Sequence, residues 1–497
     1  MTTKDGQNKW HPFLWLLPAL LLLPLMISND SLWLDEGDTA TYALQPDFHS
    51  WWFFLNHDLA ADCQMPLSMF LAWVSAWTLG LQEWQMRAFN VLFGMLALLG
   101  MYRAGKRIQL PWLPLLLAIQ PYFWFYSNEA RPYALEIAGG AWLFAALVEF
   151  IVLEGAGESW AWLFSGAAVF LCYTTLLAPL PITVTLIAAG IFAVMRRWAI
   201  SQKSIFILLG GAIATVPAGI FYLTTLARGA KGAQIWHVDP KFFGYVLYEL
   251  TGMNGLGPAV EKIREIAKSP HLSAMLAEHA AQFLLPAIGF LLLLLVFIRG
   301  FRTRQTKPRS DLSMAILLVL GMTSFVFVAA GICIQKAFWA RHFAPVFPFY
   351  VALLALAING LLESRNRLSR VFILLFVGLL LFSSLNLRFS SEYRKDDYRG
   401  ASEFARQALG ENKTVWWVAG SRPAEYYHLD CVSSHPETGK AFCLMSPQTV
   451  NFPPPDYVII SKPDIFDSGG QIMRLIKAND YKLAQTFTDF QVWQKPK

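Results

Sequence analysis

Charged side chains are scarce in this chain: they make up 15% of its 497 residues, where globular domains carry roughly 25%. Cysteine is scarce too, and five are too few for a disulfide scaffold. Cys172 and Cys333 lie inside apolar runs as packing residues. Cys431 and Cys443 can pair if their domain faces an oxidising compartment, closing a short loop worth about 3 kcal/mol. No small-residue cleavage site follows the first apolar run, Pro12 to Ile27, which therefore reads as an uncleaved signal-anchor. There is no Gly-rich phosphate loop and no half-to-half repeat. The net charge of +6 sits in short loops between apolar runs, so it orients a membrane bundle and is not a nucleic-acid signature.

Long apolar runs are what the chain has in abundance. A crossing needs about 20 apolar residues. The candidates are 12–28, 66–80, 88–104, 110–126, 133–152, 160–177, 179–195, 204–224, 281–298, 312–334, 344–362 and 371–388. Basic loops at Arg103 to Arg107, Arg196-Arg197, Arg299 to Arg309 and Arg365 to Arg370 belong on the cytoplasmic side. Lys4 and Lys9 put the N-terminus there too, and the loop 29–65 outside. An inside N-terminus and an outside C-terminal region require an odd number of crossings, whereas the candidates number twelve. The weakest is 66–80, which begins at Pro66 and holds Ser68, Trp73, Ser75 and Trp77; an interfacial helix suits it better. The expectation is an all-α polytopic membrane bundle of about eleven transmembrane helices, thirteen if a broken helix is counted, over residues 1–389.

From 390 to 497 the composition is that of a small exported α/β soluble domain. Asp397 to Leu409 reads as an amphipathic helix, Thr414 to Ala419 and Tyr457 to Ser461 as strands, Gln471 to Lys477 as a helix, and Gln485 to Gln494 as an edge hairpin. A second long exported segment, 227–280, has mixed charge, with an amphipathic stretch at Val260 to Ala267 suited to the outer leaflet.

Chemistry concentrates on the exported side. The loop 29–65 carries seven carboxylates, Asp30, Asp35, Glu36, Asp38, Asp47, Asp58 and Asp62, and no Lys or Arg. Paired carboxylates can take a proton from an attacking hydroxyl or hold a divalent cation; a solvated acidic loop obeying topology rules is the plainer reading. Between two apolar runs lies Tyr126-Ser-Asn-Glu129-Ala-Arg131-Pro-Tyr133, whose Arg131 can grip a phosphate with its guanidinium fork or act as a snorkelling anchor beside Glu129. The corner Gln335-Lys336-Ala-Phe-Trp339-Ala-Arg341-His342 is basic on the outer side, against the charge bias, as an anionic lipid head group would require. His49, His57 and His237 read as loop residues.

These strings resemble the GT-C membrane glycosyltransferases, nearest to bacterial relatives of the dolichyl-phosphate-mannose–protein mannosyltransferase family (the glycosyltransferase 39 and 83 groups). Leu34-Asp35-Glu36-Gly37 resembles the family's first-loop motif, and Asp62-Cys-Gln64-Met-Pro66-Leu67 its Asp-x-His-Pro-Pro-Leu element, with Gln64 in place of the His. Gly80-Leu-Gln-Glu83-Trp-Gln-Met-Arg87 is similar to a Gly-x-x-Glu-x-x-x-Arg segment. Ser127-Asn-Glu129-Ala-Arg131-Pro-Tyr133-Ala is similar to Ser-Gln-Glu-Ala-Arg-Pro-Tyr-Ala, and Asp397-Tyr-Arg399-Gly-Ala401 to the opening of the exported domain.

The resemblance implies inverting transfer of a hexosyl or pentosyl group from a polyprenyl-phosphate donor to a lipid, glycan or protein acceptor, at the outer face of a bacterial inner membrane. It implies Asp35 as base with Glu36 beside it. The donor phosphate falls to Arg131, Lys336, Arg341 and His342; Asp62, Gln64, Glu129 and Tyr133 orient the acceptor or a divalent metal, which some members use. The Gln64 departure removes the family's His from that role. A polysaccharide polymerase or ligase, a lipid-linked-sugar transporter and a non-enzymatic assembly protein are the competing classes. Membrane lipids are expected partners and nucleic acid is not.

Overall fold

A computed structural model describes the chain except residues 1–12, 231–239, 260, 261, 264, 265, 267–274, 276, 304, 305, 335–337, 365, 434, 435, 438, 445–451 and 497. Two compact units emerge, and they are interleaved along the chain. The first comprises 1–27, 56–68 and 87–393; the second comprises 28–55, 69–86 and 394–497. The expected boundary at 389/390 thus moves to 393/394. Most of the acidic loop 29–65 joins the α/β unit, which was expected to comprise the C-terminal residues alone.

In chain order the helices begin with α1 (Phe13–Met26), α2 (Leu34–Ala43), α3 (Phe48–His57), α4 (Pro66–Thr78) and α5 (Glu83–Arg107). There follow α6 (Leu113–Ala118), α7 (Pro121–Ser127), α8 (Tyr133–Val152), α9 (Ser159–Thr174), α10 (Pro179–Arg196), α11 (Gln202–Ala227) and α12 (Pro240–Leu250). The last long helices are α13 (Ala280–Arg302), α14 (Lys307–Ile334), α15 (Phe347–Glu363) and α16 (Arg367–Phe389).

Eight helices among the described residues are long and apolar enough to cross a membrane: α5, α8, α10, α11, α13, α14, α15 with the turn before it, and α16. The chain is a multi-pass membrane protein. The difference from eleven has three sources. Helices α1 and α9 are apolar but only 14 and 16 residues long, about 21–24 Å against a ~30 Å hydrocarbon core. The run 110–126 is broken into α6 and α7 at Gln120-Pro121, where Pro121 takes the first position of α7, one that needs no backbone N–H. The segment 66–80, already set aside in reaching eleven, forms the 13-residue α4, which is not among the spanning helices.

Helix α8 is the axis of the membrane unit, with 89% of its spanning window buried. A Cβ at Gly140 would lie 2.0 Å from the Pro345 carbonyl oxygen, so only glycine lets the backbone before α15 approach this closely. The basic loops converge at the C-terminal end of α8. The Glu149 carboxylate, 1% exposed, accepts from Arg103 Nη2 at 3.1 Å and Arg107 Nε at 2.9 Å. Arg309 bonds Glu363 at 2.7 Å and the Ile108 carbonyl at 3.3 Å, and Arg196 pairs with Asp311. Three of the four basic loops therefore meet at one end of the bundle, as the charge reading required. Arg131 and Tyr133, at the start of α8, stand at the other end.

The second unit is built on a six-stranded sheet in the order β2-β3-β1-β4-β6-β5. Its strands are β1 (Val415–Val418), β2 (Cys431–Val432), β3 (Ala441–Cys443), β4 (Tyr457–Ser461), β5 (Lys482–Phe487) and β6 (Phe490–Gln494). The first four run parallel, and β6 and β5 are antiparallel to their neighbours. Helix α17 (Tyr398–Gly410) and α18 (Ser421–Tyr426) cover one face, α19 (Pro463–Phe466) and α20 (Gln471–Ala478) the other. Along β1, Val415 and Trp417 face one core while Trp416 and Val418 face the other, the two-residue period of a strand buried on both sides. The two expected strands, both expected helices and the hairpin all form, and Cys431 is bonded to Cys443. Strands β2 and β3 were not foreseen: each is two or three residues long.

Candidate functional site

Within the membrane unit, the predicted residues gather at the end of the bundle opposite the basic loops. A 3₁₀ turn, Ala61–Gln64, presents Asp62, and the Arg131 guanidinium pairs with its carboxylate; the side chains are each 7% exposed. Arg131 was expected beside Glu129, yet it reaches a partner 69 residues earlier in the chain. The loop carrying Glu129 and Arg131 is pinned from α5: Asn90 donates to the Ser127 carbonyl at 3.0 Å and also to that of Glu129. A buried ion pair is stabilising only when its groups are held in good geometry, and these backbone anchors supply that.

Tyr133 opens α8 and sits edge-on to Tyr126 at 4.8 Å, while Tyr122 stacks on Phe347 at 4.2 Å. The Tyr126 hydroxyl donates to Glu249 of α12, a carboxylate that sequence reasoning missed because nothing local marks it. Burial pushes the Glu249 carboxyl above its ordinary value of 4.5, opposed by Tyr126, Tyr245 and Arg341. Arg341, half-buried in the 3₁₀ turn Ala340–Val346, interacts electrostatically with both Glu249 and Glu136, and Arg131 also acts on Glu136. His342 spends its Nδ1 on the Trp339 backbone N–H at 2.9 Å. Gln64 gives its carbonyl to Leu176 N at 3.1 Å, and its buried Nε2 finds no partner among the described residues. Lys336, and much of the Val260–Ala267 stretch, lie outside the described residues.

Asp35 and Glu36 belong to the α/β unit. Asp35 is half-buried in the first turn of α2. Glu36 is fully buried, bonded to Lys395 Nζ at 2.9 Å and to the Trp33 backbone N–H at 3.3 Å. The Glu36 carboxylate, engaged from two sides, holds its loop in place. Glu83 accepts from the Tyr427 hydroxyl at 3.0 Å and pairs with Arg399 at 3.4 Å.

No three His, Cys, Asp or Glu side chains among the described residues converge as a metal ion would need. With Gln64 where the family has His, that position offers an amide in place of an imidazole.

No protein-family model matches the chain, and no curated protein sequence does. Solved structures do. ArnT from Cupriavidus metallidurans in the apo state matches with a TM-score of 0.54 at 13% identity, over 97% of each chain. The same protein bound to undecaprenyl phosphate matches with a TM-score of 0.51 at 14% identity, again over 97% of each. The likeness runs through architecture, with little sequence in common. The protein is thus a multi-pass membrane protein with the GT-C fold expected from its first-loop and Glu-Ala-Arg-Pro-Tyr strings.

Proposed function

We propose that this protein is an inverting glycosyltransferase of a bacterial inner membrane, taking a sugar from a polyprenyl-phosphate donor and passing it to a hydroxyl acceptor on the extracytoplasmic face. The observation that carries the reading is the buried Arg131, paired with Asp62 and accompanied by Arg341, at the end of the bundle away from the basic loops. A guanidinium placed there, beside Asp62, can also take the phosphate of a membrane-bound donor in its fork. ArnT, alike in fold, has been solved with undecaprenyl phosphate. The disulfide between Cys431 and Cys443 supports an oxidising compartment for the α/β unit.

In the reaction the acceptor oxygen attacks the anomeric carbon as its proton passes to a carboxylate. The bond from that carbon to the phosphate oxygen breaks, and the lipid phosphate leaves with the electron pair. Asp35 is the proposed base, on the ground of its motif and half-exposed carboxylate; such assistance is worth ~10²–10⁴-fold. Arg131 and Arg341 offset the charge on the departing phosphate. Holding a membrane-bound donor in place contributes the rest through positioning.

The test is transfer by the purified protein from a panel of polyprenyl-phosphate sugars, undecaprenyl-phosphate carriers included, reading release of free lipid phosphate. Release that depends on acceptor supports the reading. Movement of intact lipid-linked sugar across a vesicle membrane, with no release, would make the protein a transporter. Growth of a polymer on a lipid diphosphate would make it a polymerase.

A further inference from the structure

In open α/β sheets, ligands bind outside the carboxyl ends of the strands, where the connections leave to opposite faces. In this sheet that point lies between β1 and β4. The chain leaves β1 through α18 on one face and leaves β4 through α19 and α20 on the other. The crevice between those strand ends is filled, and what fills it is residues 33–38 of the same chain. Leu34 packs against the cores on both faces of the sheet at once, and a Cβ at Gly420, just past β1, would lie 2.5 Å from its Cδ1. A Cβ at Gly37 would lie 2.3 Å from Pro423 Cγ and 2.7 Å from Pro423 Cα, so the α2 backbone rests directly on the Pro423 ring of α18. Lys462, just past β4, has a left-handed backbone (φ 42°) that L side chains rarely adopt; its Nζ lies 5.4 Å over the Trp33 ring and 2.8 Å from Asp396. Next to Asp396, Lys395 grips Glu36, and Arg422 meets Asp38 at 3.5 Å.

We infer that the α/β unit is a receptor for the chain's own first loop: its ligand crevice holds the start of α2 and thereby positions Asp35. Lys395, Lys462 and Gly37 are positioning residues in this assignment, acting through Glu36, Trp33 and the helix backbone. The crevice is accordingly closed to nucleotide or sugar ligands. The inference rests on the reading of Asp35 as the base only for its kinetic consequence; the docking itself does not depend on it.

The test uses the full-length protein in lipid nanodiscs, with Gly37→Ala, Lys395→Met and Lys395→Arg. Amide hydrogen exchange over residues 29–44 is read against that of β1, β4 and α8. Gly37→Ala and Lys395→Met should raise exchange in α2 about tenfold or more while the reference elements keep their protection, and Lys395→Arg should stay as wild type. In transfer assays the first two should lose about tenfold or more in kcat with donor KM within about twofold, and Lys395→Arg should restore kcat, because misplacing a reacting group by an ångström is that costly. A residue that merely stabilised the fold would loosen β1, β4 and α8 along with α2, and its kcat loss would disappear once rates are divided by the folded fraction. Unchanged protection of α2 in both variants overturns the proposal, as does a loosened α2 with unchanged kcat. If wild type transfers no sugar from any polyprenyl-phosphate donor, the enzymatic reading fails by itself, and the exchange result alone decides the docking.

Discussion

Replacing Arg131 by Met separates what the buried ion pair does for stability from what it does for chemistry. Asp62 and Arg131 both have 7% of their side chains exposed. Removing the guanidinium leaves the Asp62 carboxylate without its buried counter-ion, which costs ~3–5 kcal/mol. Removing both charges, in Asp62→Asn/Arg131→Met, leaves two neutral groups of similar volume, and a swap of that kind is often close to neutral. In equilibrium unfolding by SDS in mixed micelles the single variant should be the weakest of the three proteins, with the double variant recovering most of the loss. Transfer should behave oppositely. If Arg131 binds the lipid phosphate, the double variant regains stability but stays about 10²–10³-fold down in kcat/KM for donor, the range for losing one preorganised charge donor. Arg131→Lys should also be impaired, since an ammonium cannot reproduce the fork. Full recovery of transfer in the double variant would reduce Arg131 to a structural ion pair. A single variant as stable as wild type would show that the pair is not buried in the working protein.

Three other outcomes follow from the same geometry. Asp35→Asn should insert and fold as wild type yet keep less than about a tenth of kcat, since a general base is worth ~10²-fold or more; greater residual activity removes that role. Glu249→Gln should alter the pH dependence of stability: burial raises its carboxyl above 4.5, so its contribution is complete below that pH and is lost as pH rises through the shifted value. The Gln variant should therefore gain on wild type in thermal melts as pH goes from 5 to about 8, and parallel curves would contradict the assigned burial. Gly140→Ala should be unusually harmful for so small a change, because the new Cβ meets a backbone carbonyl at 2.0 Å that has no rotamer to escape through; overpacking costs ~1–3 kcal/mol. A wild-type melting temperature for this variant would refute the close approach.

The long spans were legible because lipid leaves a helix no alternative, and twenty apolar residues in a row show it. The strands of the α/β unit were legible where they are buried on both faces, as in Val415–Val418, and invisible where they are two or three residues long. The break at Gln120-Pro121 did carry a signal, the proline, but apolar residues on either side outweighed it. Asp62 and Arg131 were each singled out by motif, yet their pairing spans 69 positions and no periodicity encodes it. Glu249 could not have been chosen, since its partner Tyr126 is 123 residues away. Of the two readings of the first loop, the solvated one fails at Glu36, which is fully buried because Lys395, far along the chain, compensates it.

That last arrangement has a consequence for how the protein is made. The start of α2 is made early in synthesis, but its crevice requires β1 and β4, and Lys462 follows Glu36 by more than four hundred residues. At ~5–20 residues per second the loop waits about 20–85 s before its receptor exists. Throughout that interval Leu34, Trp33 and a carboxylate destined for burial are displayed to whatever chaperones and proteases meet the growing chain. A nascent chain that stalls after its last span would carry a complete set of membrane helices and an undocked α2. Such a protein would be inserted, inactive and marked for degradation by the one segment it could not put away.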